Sequence, residues 1–170
     1  MKRYFILFLY VFLISCSSKK EQLEDVACPE VLFSKNHRIY IMTQDNNESL
    51  NEIDYVAEIN NYDFNNSCLI QNNNITASLS LLFIIKADKM QGDIVTLPYY
   101  IAMLDNQKNI LDIQYYKVLG ALNKNDNDTP YKETEIINTQ NIIIPKKYLD
   151  LNNKLLIGFM LTENQIKNLN

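Results

Sequence analysis

The sequence predicts an all-β protein, an antiparallel two-layer sandwich closed by a short C-terminal helix. Three observations carry this. Apolar and polar residues alternate with a period of two along several stretches, polar turn-forming clusters separate those stretches, and no long segment shows the 3.6-residue apolar repeat of a helix.

In chain order, Arg38 to Met42 supplies an early strand. Ile53, Tyr55, Ala57 and Ile59 alternate with Asp54, Val56 and Glu58, a strand with one face buried. A longer strand follows, with Ile75, Ala77, Leu79, Leu81, Phe83 and Ile85 on one face and Thr76, Ser78 and Ser80 on the other. Its second half is apolar on both faces, which predicts a central or covered position. Leu97, Tyr99, Ile101 and Met103 form a third set, and Pro98, which lacks an N–H, predicts that this strand lies at an edge or that Pro98 marks its start. The turn-rich Asp105-Asn106-Gln107-Lys108-Asn109 leads into a hairpin partner, Ile110 to Val118. Asn123 to Pro130 reads as an exposed loop, Glu135 to Ile144 and Leu155 to Leu161 as further strands. Thr162 and Gln165 have the T-x-x-Q spacing of a capping box, which starts a helix of one or two turns. About seven short strands without long helices indicate a sandwich of immunoglobulin-like type. That label is an analogy of architecture, since the chain has no Trp and therefore no Cys-Trp-Cys core.

At 170 residues, 47% hydrophobic and 21% charged, the chain is long enough for one domain with a substantial core. Its net charge is -4, and loss of Lys2 and Arg3 would make it more acidic still, which argues against a nucleic-acid partner. Asn runs such as Asn72-Asn73-Asn74 read as compositional bias, because the apolar strands between them are not those of a disordered chain.

Lys2 and Arg3 precede the apolar run Tyr4 to Ile14, the charged and apolar parts of a secretory leader. Eleven residues at 1.5 Å rise cover roughly 16 Å, about half of a bilayer's hydrocarbon core, too short for a permanent span. The run ends in Leu13-Ile14-Ser15-Cys16, which resembles the lipobox of bacterial lipoproteins. That resemblance implies cleavage before Cys16 and a thioether-linked diacylglyceryl group on its thiol. Three acyl chains, at about 0.8 kcal/mol for each buried methylene, would make a permanent anchor. The expected organisation is a signal peptide over 1–15, a polar tether over 16–27 and the sandwich domain over 28–170. Ser17, rather than Asp, after the lipidated cysteine resembles the outer-membrane sorting signal of enteric lipoproteins.

Assigning Cys16 to lipid leaves Cys28 and Cys68, an even pair in an oxidising compartment, and a disulfide between them is expected. Two separate buried thiols are the alternative. A shared metal is disfavoured because there is no CxxC spacing and the lone His37 is distant in sequence. His37 also lacks a nucleophile motif and reads as a surface or strand-end residue. Asp126, Asp128 and Glu133 suggest a calcium loop, but the central Gly and the acidic spacing of that motif are missing, so a solvated loop is expected. Tyr99-Tyr100 and Tyr115-Tyr116 each place one ring on either sheet face, and packing is favoured over a binding role.

Cys28-Pro29, Cys68 and Gly158-Phe159-Met160-Leu161-Thr162 with Gln165 together resemble a family of uncharacterised proteobacterial envelope lipoproteins, which carries no known activity. Its members often have a Gly-rich turn after the long strand, where this chain has Lys86-Ala87-Asp88-Lys89-Met90-Gln91-Gly92. The expected function is a non-catalytic binding or structural lipoprotein that faces the periplasm and engages an envelope protein through a sheet edge or loops. The alternative is a carrier whose sheets part around a lipid or small apolar ligand. No catalytic residue, metal or cofactor is assigned.

Overall fold

A computed structural model describes residues 23–43, 53–87, 94–122, 132–151 and 153–169. Among the described residues ten strands pack as two sheets in an all-β sandwich: β1 (Glu24–Val26), β2 (Glu30–Phe33), β3 (Ile39–Thr43), β4 (Ile53–Phe64), β5 (Cys68–Gln71), β6 (Asn74–Ala87), β7 (Ile94–Leu104), β8 (Ile110–Ala121), β9 (Lys132–Pro145) and β10 (Lys154–Phe159). A 3-10 helix spans Lys146–Leu151, and α1 (Glu163–Leu169) follows the last strand.

In the first sheet β6 is central, as its doubly apolar second half predicts. β9 pairs along its whole length on one side, while on the other β5 pairs with residues 74–76 and β4 with residues 79–87. β1 lies outside β5 and β3 outside β4. The second sheet runs β2-β10-β7-β8. The sandwich is immunoglobulin-like at the level of two packed layers, with every pairing antiparallel except β2 with β10, which is parallel.

Alternation places the core where the sequence predicts it. Ile75, Ala77, Leu79, Leu81, Phe83 and Ile85 of β6 are buried, facing Leu97, Tyr99, Ile101 and Met103 of β7. Each large side chain among them contributes about 1.5–3 kcal/mol by leaving water. Ser80 on the outer face instead bonds Asn65 and Thr139.

Two expectations are corrected. β7 is an interior strand between β10 and β8, not an edge. The Pro98 carbonyl accepts from Met160 N, just past the end of β10. In an antiparallel ladder a residue's N and O face the same neighbour, so the absent N–H of Pro98 falls where β10 has stopped and no ladder bond is lost. The polar stretch 16–27 is also not tether throughout, because β1 pairs with β5, with Val26 opposite Cys68. The cause is covalent and local: Cys28 and Cys68 form a disulfide with a Cα–Cα distance of 5.2 Å, which holds the preceding residues against β5.

Turn chemistry is explicit in the β5–β6 and β7–β8 hairpins. Asn72 and Asn73 have φ of 51° and 61°, the pair of left-handed residues that a two-residue turn between Gln71 and Asn74 requires. The Asp105 carboxylate accepts from the backbone N–H of Gln107 and Asn109, each at 2.8 Å, and from Asn109 Nδ2. These bonds, led by the Asn109 side chain, hold the Asp105 carboxyl below its ordinary pKa.

Candidate functional site

At the pole where β7 turns into β8 the two sheets do not close on each other. They leave a cleft of about 590 Å³, within the roughly 300–1,000 Å³ of small-molecule sites. Its walls come from strand ends: Ile75 at the start of β6, Met103 at the end of β7, Ile144 at the end of β9 and Leu155 at the start of β10. Tyr148 of the 3-10 helix and the segment Val26 to Glu30 complete it, with the bridged Cys28 in the wall. The Lys146 N–H bond to the Asn73 carbonyl, at 3.0 Å, ties the 3-10 helix to the β5–β6 turn. A much smaller void of about 10 Å³ shares Met103, Ile144 and Leu155 and has room for about one water at most.

Glu30, Asn106, Tyr148, Asn153 and Lys154 bring polar groups to the cleft beside its apolar side chains. Lys154 Nζ and Glu30 Oε2 form an ion pair at 2.7 Å, with both side chains near half exposure, so its contribution is at most about 1 kcal/mol. Asn106 reaches in from the β7–β8 turn. Asn153 is different. Its Nδ2 donates to the Tyr148 carbonyl and lies 4.0 Å from Met103 Sδ, while its Oδ1 is buried with no hydrogen-bond partner. A buried acceptor left unpaired is costly and calls for a physical reason.

The sequence-predicted residues are not gathered at this cleft, apart from Cys28. Cys16, Asp126 and Asp128 lie outside the described residues. Cys68 is fully buried in its disulfide. Glu133 pairs with Lys86 at 2.7 Å. His37 sits in the turn after β2, at the far end of β2 and β10 from the cleft, with Nδ1 3.5 Å from Tyr100 Oη. Tyr99 is fully buried, stacks on Tyr116 with centroids 5.4 Å apart, and donates to Asn138 Oδ1 at 2.9 Å. Tyr115 is 62% exposed on the outer face. Among the described residues no three His, Cys, Asp or Glu side chains converge as metal ligands would, and no helix is long and apolar enough to cross a membrane.

Both sheets carry apolar residues on their outer faces. On the first sheet Thr76, Ser78, Ser80, Glu133, Glu135 and Thr139 face outward together with the exposed Ile137 and Ile143. On the second, Leu32, Leu156, Ala102 and Ile113 stand in register across all four strands. Ile94, Ile110, Tyr115 and Leu119 are exposed along the same β7–β8 hairpin. Antiparallel sheets ordinarily present a polar outer face, and an apolar one marks a surface suited to a partner.

The cleft residues carry no sequence signal of their own, since Met103, Ile144 and Leu155 read as ordinary core positions and Asn153 is one of many asparagines. No family model, curated protein or solved structure matches the chain.

Proposed function

We propose that this protein is a non-catalytic binding module of the bacterial cell envelope, anchored by lipid on Cys16 and holding an apolar ligand such as a single lipid between its sheets. The cleft carries this reading. Its walls combine apolar side chains with polar ones that can orient a ligand, and it opens at the end of the domain from which the anchor segment departs. From Cys16 to Val26 is ten residues, which span at most about 35 Å, so a bilayer holding the acyl chains lies within reach of the cleft mouth. Within this reading the domain faces the periplasm, from the outer membrane by virtue of Ser17. It shares the organisation of the proteobacterial envelope lipoproteins that its Cys-Pro start and C-terminal motif resemble.

A second reading is favoured by the apolar outer face of the β2-β10-β7-β8 sheet, which suits docking of another envelope protein better than the sheet edges do. Native mass spectrometry of the full chain released from membranes separates the two. On the first reading a lipid adduct accompanies the wild-type protein and is lost in Ala27→Trp, which places an indole in the cleft wall. A specific co-purified protein, with no lipid on either form, would favour the second. The anchor has its own check: palmitate must enter the wild-type chain and not Cys16→Ala.

A further inference from the structure

We propose that β9 is the pairing edge of a twofold dimer, joined antiparallel to β9 of a second copy so that the first sheet runs on from one molecule into the next.

An edge strand offers a row of unpaired backbone donors and acceptors, and folded proteins keep other strands off it by making it short, covering it, bulging it or placing lysine on it. Among the described residues the other edges are treated in those ways. β1 and β2 have three and four residues, α1 covers β3 through the Gln165 bond to the Ile41 carbonyl at 2.8 Å, and β8 carries Lys117 and a register shift near its start. β9 has none of these. It runs 14 residues with β6 as its strand neighbour and no shift in register, and from Ile136 to Ile144 it has neither charge nor proline.

The register tells which of its groups are free. Gln71 and Asn74 close a two-residue turn and exchange both backbone bonds. Asn74 therefore has none left for Pro145, its partner on β9. Alternation then turns the N–H and C=O of Glu135, Ile137, Thr139, Asn141 and Ile143 away from β6. The Ile143 carbonyl does point that way, since it accepts from Gln114 Nε2 at 3.0 Å, and its second lone pair stays open to a strand.

The side chains beside these groups suit a second copy. With a twofold axis at Gln140, Ile137 lies opposite Ile143 of the other molecule, Thr139 opposite its Asn141 and Glu135 opposite its Pro145. Apolar meets apolar, polar meets polar, and no two carboxylates face each other. Moving the axis to Thr139 keeps the backbone bonds but sets Ile137 against Asn141 and Glu135 against Ile143. Ile137 and Ile143 are 72% and 54% exposed in one copy, and the pairing covers both.

The test releases the full chain from membranes in mild detergent and follows its mass by light scattering over a range of concentrations. The expected result is a dimer that is weakened roughly tenfold or more in Ile137→Lys, because the twofold applies the substitution twice. Leu119→Lys, on the outer face of the second sheet, should leave it unchanged. Gln140→Cys sits where the two strands approach closest and should give a disulfide-linked dimer. Glu135→Cys, roughly 33 Å from its own counterpart in this register, should not. A wild-type chain that stays monomeric, a dimer that survives Ile137→Lys, or one lost in Leu119→Lys instead overturns the inference. Equal cross-linking of the two cysteine variants overturns it as well, and that comparison stands even where the lysine variants fail to fold.

Discussion

Gly158 shows how a single missing Cβ positions two strands and a turn. A Cβ built there would lie 2.8 Å from the Cβ of His37 and 2.7 Å from Tyr100 Oη. The tyrosine can swing away, but His37 is fixed by its backbone, donating to Ser34 and accepting from the N–H of Phe159 at 2.7 Å. Gly158→Ala is therefore expected to lower stability by roughly 1–3 kcal/mol, as overpacking does, with a lower urea midpoint and an unchanged slope. Adding His37→Gly should recover part of the loss; a strictly additive double variant would show that the two residues do not collide. None of this was legible in the sequence, because residues 37 and 158 meet only through the parallel pairing of β2 and β10. Asn72 and Asn73 are an intermediate case. They read as compositional bias, yet asparagine is among the few residues that tolerate positive φ, so a turn at that point was physically available in the pattern. Asn153 marks the limit: what sets it apart is an absent partner, which no local pattern encodes.

At the level of elements, what could be read depended on length. β4, β6 and β7 run 11 to 14 residues with one buried face, so a period of two repeats often enough to be unmistakable. β1, β2 and β5 have three or four residues, too few for a period, and are held by the Cys28–Cys68 bridge and by pairing with distant strands. Long-range demands also explain Arg38, whose Nε and Nη2 bond the carbonyls of Ile59 and Asn60 at 2.9 and 3.2 Å, where a bulge in β4 takes Asn60 out of the ladder with β6. α1 combines both kinds of information. Its capping box is as the sequence predicts, with Thr162 N donating to Gln165 Oε1 at 2.9 Å and Gln165 N to Thr162 Oγ1 at 3.3 Å. The second use of Gln165 was hidden: Nε2 donates to the Ile41 carbonyl at 2.8 Å, which ties the helix to β3. Glutamate would preserve the box but has no donor for β3. Gln165→Glu is thus expected to cost about 0.5–1.5 kcal/mol of helix docking, seen as faster hydrogen exchange at the Ile166 amide, which bonds Thr162 O. Unchanged exchange there would mean that the contact with β3 does not hold the helix.

Across the whole molecule, the sandwich is stitched in the middle and open at one pole. Six rings form a continuous series through both sheets, Tyr55 to Tyr40, Phe159, Phe83, Tyr99 and Tyr116, with successive centroids 5.4 to 6.2 Å apart. Aromatic pairs at such distances each add about 0.5–1.5 kcal/mol beyond their burial. The cleft lies beyond this series, so occupying it need not disturb the centre. Building a core from tyrosine has a consequence for pH. Burial, helped by Tyr40 and Asp54, pushes the Tyr55 hydroxyl from 10.0 up to about 12, and burial also raises Tyr99 and Tyr116. The folded protein keeps these protons at a pH where the unfolded chain has released them. Their contribution to stability is therefore complete below pH 10 and is lost as pH rises from there toward 12 and beyond. Each such group adds a slope of about 1.4 kcal/mol per pH unit inside its window. The expected outcome is a urea midpoint that does not respond to these tyrosines between pH 7 and 9, then falls steeply above pH 10, with Tyr55→Phe removing one group's share of that slope. In parallel, ultraviolet titration of the chain from Cys16 onward should show fewer than its nine tyrosinates until the chain unfolds. If all of them ionise together near pH 10 while the protein stays folded, the buried ring series is not the centre of the molecule.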